Sequence, residues 1–301
     1  SAQCIPDTKE FFFTRFSTDG KLPEKILSGR SLLFFDGLTP KELSTIQQSL
    51  AGTGIDAVLA ISLQKLLGGH DVRQTLFNAV QKRELSNLLF FERDQHGYRC
   101  IATRFNGTAS FVDERQPAWK VELVSLGELL QQLNREALGS YKKQNFLINE
   151  IPEADLPLKL IQGSRIEGFT NDFRIDKVAV RLSDNDVANQ QLKRVCAEYP
   201  YKIEFVGDSL TDAVLRQRGF WYVLSCVRAA EVEAREWLGF APEKSGLQNS
   251  RNSQSNELVY KFYLKKLEFN NWYVGKPWDA DPSWEVALTN FIENLRRETS
   301  R

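Results

Sequence analysis

Short apolar runs that lead straight into helix starts, met twice in the same order, constrain this chain more than any other feature. Ser31-Leu32-Leu33-Phe34-Phe35-Asp36 is too short for a helix, and Thr39-Pro40-Lys41-Glu42 supplies an N-cap, a first-turn proline and a first-turn acid. Lys177-Val178-Ala179-Val180-Arg181-Leu182 is its counterpart, followed by Ser183-Asp184 and a helical pattern through Leu192 and Cys196. Second strands are predicted over Ile55–Ile61 and Lys202–Val206, and second helices over His70–Leu85 and Ser209–Arg218. Third strands follow at Asn87–Glu92 and Phe220–Val227. Asp94-Gln95-His96-Gly97 is a tight turn into a return strand at Tyr98–Ala102, and Leu258–Leu267 alternates as the second return strand. Strands separated by helices must cross over and pair in parallel, whereas a hairpin pairs antiparallel. The expectation is an α/β (α+β) chain of two tandem β-α-β-α-β-β-α modules, each a mixed sheet covered by helices.

The ends of the halves also match. Pro117-Ala118-Trp119-Lys120-Val121-Glu122-Leu123 resembles Pro282-Ser283-Trp284-Glu285-Val286-Ala287-Leu288, and Leu126 and Leu130 then align with Phe291 and Leu295 on a helical period. In this alignment Trp119 and Trp284 precede equivalent helices and cover equivalent sheets. The first module with its lead-in spans residues 1–138, a linker 139–176, and the second module 177–301 with an insertion at about 229–257. Within that insertion 229–239 reads as a helix and 245–256 as a polar surface loop. The aromatic lead-in Phe11–Phe16 is expected to add an edge strand or pack across a sheet.

With 39 basic and 39 acidic side chains in 301 residues, the chain has no net field to gather polyanions, so a nucleic-acid partner is not expected. No apolar run approaches the roughly eighteen residues of a membrane span. Cys4, Cys100, Cys196 and Cys226 show no Cys-x-x-Cys spacing and no nearby histidine, so no metal site is expected. Cys196 and Cys226 read as small buried hydrophobes. The two histidines, His70 and His96, fall in different connections, so no nucleophilic triad can be assembled and no catalytic residue is assigned. Ser1-Ala2-Gln3-Cys4 is compatible with the tail of a removed signal peptide or simply with the start of an expressed chain. Gln3 argues against a lipidated Cys4.

One segment carries catalytic vocabulary. Val206-Gly207-Asp208-Ser209-Leu210-Thr211-Asp212 resembles the acidic GDxxxD loop of haloacid-dehalogenase-type phosphohydrolases, where two carboxylates after a strand hold magnesium. Leu33–Thr39, with Asp36, is similar to that family's first motif, but the position of its nucleophilic aspartate is Phe34, and an aryl ring cannot form an aspartyl-phosphate. The alternative for Asp208 and Asp212 is helix capping and dipole compensation. Gly68-Gly69-His70-Asp71 reads as a glycine turn with a first-turn acid, and Lys261, Lys265 and Lys266 as a solvent-facing or edge-protecting strand face. Trp278, flanked by Lys276, Pro277 and Asp279, is the candidate exposed aromatic. The candidate ligand-binding residues are therefore Asp36, Asp208, Asp212 and Trp278, with no cofactor implied.

From Phe220-Trp221-Tyr222-Val223-Leu224-Ser225 to Asn271-Trp272-Tyr273-Val274-Gly275, the second half is similar in element order to the small α/β domain of bacterial envelope proteins, the type found at the amino terminus of TolB and in the curli-secretion lipoprotein. The resemblance carries no functional residue. It implies an exported binding or assembly protein without catalysis, whose partner is a protein or small molecule. The divergent phosphohydrolase is the competing expectation.

Overall fold

The computed structural model describes residues 2–18, 20–148, 153–154, 156–242 and 257–300, so the expected polar loop at 245–256 lies outside the described residues. The chain divides into two units. Unit N comprises residues 8–66 and 76–157, and unit C comprises residues 1–7, 67–75 and 158–301. Unit N carries α1 (Lys9–Phe13), β1 (Phe16–Ser17), β2 (Arg30–Asp36), α2 (Pro40–Thr53), β3 (Asp56–Ser62) and α3 (Leu63–Leu66). The division falls inside α4 (His70–Val80), after which come β4 (Leu85–Asp94), β5 (Gly97–Arg104), β6 (Gln116–Leu123), α5 (Leu126–Ser140) and β7 (Glu153–Ala154). The start of α2 is built as its sequence dictates: the Thr39 hydroxyl accepts from the Glu42 N–H, and the Glu42 carboxylate accepts from the Thr39 N–H.

The strands of unit N lie in the order β7-β3-β2-β4-β5-β6-β1. The β3-β2-β4 core is parallel, β4-β5-β6 is antiparallel, and β1 adds parallel to β6. One face packs Leu33, Leu89 and Trp119 against Ile46 and Leu50 of α2 and Leu129, Leu130 and Leu133 of α5. Aromatic rings fill the other face, where Phe34 stacks on Phe90 at 5.4 Å and Phe12, Phe13 and Phe16 surround Phe90 at 5.6–5.9 Å. The aromatic lead-in thus supplies both an edge strand and a cover.

Unit C carries β8 (Arg165–Ile166), β9 (Val178–Arg181), α6 (Asp186–Cys196), β10 (Ile203–Val206), α7 (Asp212–Gln217), β11 (Tyr222–Ala230), α8 (Glu231–Trp237), β12 (Leu258–Lys266), β13 (Trp272–Tyr273) and α9 (Trp284–Thr299). Its strands run β10-β9-β11-β12-β13-β8. In module numbering both sheets read 2-1-3-4-5, parallel through the first three strands and antiparallel through the last pairings. Each also gains a two-residue upstream strand, β1 or β8, parallel to its fifth strand. Each module is thus a mixed sheet covered by helices, of seven strands in unit N and six in unit C where the sequence reading contained four apiece.

The proline-tryptophan match does not mark equivalent places. Pro117–Leu123 lies in strand β6, with Trp119 in the core, whereas Trp284 is the first residue of helix α9. Aligning the N-caps Ser125 and Ser283 instead superposes the buried positions Leu129, Leu130, Leu133 and Ala137 on Ala287, Leu288, Phe291 and Leu295. The two frames differ by seven residues, two turns of helix, so the apolar period survived the wrong register.

Candidate functional site

In open α/β sheets ligands bind outside the carboxyl ends of the parallel strands, where the connections part to opposite faces. In unit N this place holds Asp36, last residue of β2, beside Glu92 in the register of β4. Lys9 of α1 bridges them, its Nζ 2.9 Å from Asp36 Oδ2 and 2.9 Å from Glu92 Oε1. The Gln64 amide donates to Asp36 Oδ1 at 3.2 Å, and the Arg99 guanidinium donates to Glu92 Oε2. Burial lowers the Lys9 ammonium pKa, but the hydrogen bonds and charges of Asp36 and Glu92 outweigh it and raise the value.

Beside this cluster opens a cleft of about 320 Å³, lined among others by Glu92, His96, Tyr98, Arg99, Glu122 and Val124. Val124 is 82% exposed there. Arg99 is steered by Glu92 and by the Phe13 ring, 4.5 Å from its guanidinium carbon. Tyr98 is held by the Glu42 carboxylate and by Arg93, which lies over its ring at 5.5 Å. Burial pushes the Glu42 pKa up, but hydrogen bonds from Tyr98, Thr39 and Arg93 bring it down to about 2.

The corresponding end of the unit C sheet is a buried charge network. Lys265 of β12 places Nζ 2.7 Å from Asp71 Oδ1 and 2.9 Å from Asp212 Oδ2. The Tyr263 hydroxyl donates to Asp71 Oδ2 at 2.6 Å. Arg181 of β9 donates to Asp212 Oδ1 at 2.7 Å and to the Leu210 carbonyl at 2.8 Å. Burial would raise the Asp71 carboxyl pKa, yet Lys265, His70 and the Tyr263 hydroxyl hold it well below the usual carboxylate range. Burial alone would lower Lys265, but Asp71 and Asp212 raise it. Burial pulls His70 down to about 4, with Asp71 opposing and Lys265, Arg73 and Arg181 adding to the depression. A cavity of about 10 Å³, room for one water molecule, remains beside Cys4, His70, Asp71, Arg181 and Ser225.

The structure places Asp36 in unit N, and Asp208 and Asp212 in unit C. Asp212 is the first residue of α7, behind the N-cap Thr211. Its carboxylate oxygens each face a cation of the chain, as does Asp36 Oδ2, a donor set already neutralised and poorly suited to a divalent ion. Asp208 lies in the β10–α7 connection, where its main-chain carbonyl accepts from the Ala2 N–H at 3.0 Å. Phe34, where a phosphohydrolase nucleophile would stand, is fully buried. Trp278 is half-buried, not free: its indole N–H donates to Glu231 at 2.9 Å, Phe240 meets it edge-on at 4.9 Å, and Arg235 lies 4.7 Å from its ring.

Sequence reasoning missed the lysines. Lys261 and Lys265 are buried, at 0% and 5% exposure, because β12 lies between β11 and β13 and both its faces are covered. Lys261 is held by Asp279 at 2.9 Å and by the carbonyls of Phe262 and Val274, each at 2.7 Å. The usable signal was Asp279 and Asp71, each beside aromatic or glycine residues far along the chain. All four cysteines are free and buried, and burial raises each thiol pKa, that of Cys196 to about 12. Among the described residues no helix is long and apolar enough to cross a membrane, and no group of three or more His, Cys, Asp or Glu side chains is placed to hold a metal. No protein-family model, curated protein or solved structure matches this chain, so its function rests on the geometry of these strand ends.

Proposed function

We propose that this is a non-enzymatic binding or assembly protein of the bacterial envelope, built by duplication of one α/β module. The observation that carries this reading is the internal neutralisation of both strand ends: Asp36 and Glu92 are satisfied by Lys9 and Arg99, and Asp71 and Asp212 by Lys265 and Arg181. General acid–base and metal chemistry need such groups free to reach a substrate, and nucleophilic chemistry needs a thiolate that burial disfavours here. The shared 2-1-3-4-5 strand order supports duplication, and the resemblance of the second half to envelope domains supports the location. The mixed-charge cleft of unit N, with Val124 at its edge, supports ligand contact there: about 320 Å³ suits a small molecule or one long side chain of a protein partner.

The phosphohydrolase alternative is tested directly. With p-nitrophenyl phosphate and magnesium, the protein is expected to give only the buffer rate, unchanged by Asp208→Asn. Magnesium-dependent turnover abolished by Asp208→Asn would overturn the binding reading.

A further inference from the structure

The connection between β5 and β6 holds the chain's single Asn-Gly step, Asn106-Gly107, followed by Thr108. Asn106 is half-buried and Gly107 exposed. The segment is anchored: the Asn106 N–H donates to the Phe111 carbonyl at 3.1 Å, and Phe111 is fully buried against Phe34, Phe77 and Phe105. Both ends of the Asn106 carboxamide are held. Its Oδ1 accepts from the Thr108 N–H and from the Thr108 hydroxyl, each at 2.9 Å. Its Nδ2 donates to Ser110 Oγ at 2.9 Å and to Asp113 Oδ1 at 3.0 Å. The Gly107 N–H, by contrast, has no acceptor among the described residues, and a Cβ added at Gly107 would meet nothing within 4 Å.

This arrangement sets a free main-chain nitrogen next to a polarised amide carbon in its own chain, so attack needs no encounter step. The two donors on Oδ1 point at the atom that gains charge when Cγ becomes tetrahedral. We propose that Asn106 is a self-modification site, at which the folded connection promotes its own deamidation with water as the co-reactant. The Gly107 nitrogen bonds to Cγ and gives its proton to hydroxide, while the electron pair moves onto Oδ1. That pair returns as the Cγ–Nδ2 bond breaks, and Nδ2 takes a proton from water and leaves as ammonia. Water then opens the succinimide at either carbonyl, leaving aspartate or isoaspartate at position 106. The sum is one water consumed and one ammonia released, with nothing oxidised. The product has lost both Nδ2 donors and sets a carboxylate against Asp113, so like charges loosen the connection that seats Phe111. The result is a one-way, time-dependent switch in the first module, independent of the cleft and of the strand-end charges.

The full chain is incubated at mildly alkaline pH beside a synthetic peptide of residues 101–113, and the amide, aspartate and isoaspartate forms are followed by liquid chromatography and mass spectrometry. The folded chain should lose the Asn106 amide at least as fast as the peptide. Thr108→Val should slow the folded chain by about three-fold or more, less than a donor is worth in a dry site, and leave the peptide's rate unchanged. Thr108→Ser, which keeps the hydroxyl, should retain the folded rate, and it decides the matter should Thr108→Val fail to fold by circular dichroism. An amide that outlasts the peptide's overturns the proposal, as does a Thr108→Val chain that reacts at the unaltered rate or a Thr108→Ser chain that loses it. Asn106→Asp should raise amide exchange in residues 105–112, and unchanged exchange refutes the switch.

Discussion

A lysine ammonium carries three donors; at Lys261 two go to the carbonyls of Phe262 and Val274, and the Asp279 carboxylate pairs with its charge at 2.9 Å. Those two hydrogen bonds and the ion pair are what let a fully buried cation persist, although burial lowers its pKa. Lys261→Met should cost about 3–5 kcal/mol in urea denaturation, because it strands the Asp279 carboxylate; adding Asp279→Asn should recover most of the loss. His70 predicts a pH dependence. Its unfolded-state pKa lies near 6.5, and burial holds the folded value at about 4. In that window the unfolded chain binds a proton that the folded chain refuses, so stability falls as pH drops through it. Urea denaturation should show a loss of about 2 kcal/mol between pH 7.5 and pH 5, removed in His70→Gln. Asp71, whose folded pKa is depressed, contributes stability that is lost only below the ordinary carboxylate range. These roles were hidden in sequence because Asp71 and Lys265, and Lys261 and Asp279, are partnered only by folding. A period-two run of lysines looks the same whether its strand is at an edge or in the middle.

At the scale of elements the sequence was most legible where signals are local. The Thr39 capping box, the Asp94–Gly97 turn and the order of strands and helices all follow from neighbours along the chain. Register was not local. The tryptophan match slipped by seven residues because two helical turns restore the same apolar face. Gly69 shows an element fixed from outside. Its φ of 117° and its approach to the Cys226 carbonyl leave no space for a Cβ, while the Gly68 carbonyl accepts from the Arg228 N–H at 2.9 Å. Gly69→Ala should therefore destabilise the protein by about 2 kcal/mol or more, with amide exchange rising first in residues 67–75. A comparable loss in Gly52→Ala, where an added Cβ meets nothing, would contradict that explanation.

At the scale of the whole chain, composition and periodicity supplied the class: helix-covered mixed sheets with a charge balance that favours no polyanion. The division into units is not a single cut. Residues 1–7 and 67–75 pack with 158–301, so a segment between β3 and β4 of the first module helps complete the buried charge network of the other unit. The candidate site divided in the same way. Asp36, Asp208 and Asp212 were findable as carboxylates after strands, but their partners Lys9, Lys265 and Arg181 were not. By itself the sequence determined strands β2–β5 and β9–β12 and their order with the helices between them, because propensity, capping and apolar period act between residues a few positions apart. Only the tertiary structure decided which carboxylates are neutralised, which lysines are buried and where the main chain of Ala2 and Cys4 finds its acceptors. Those outcomes depend on side chains brought within about 3 Å from distant positions, where burial makes a partner obligatory.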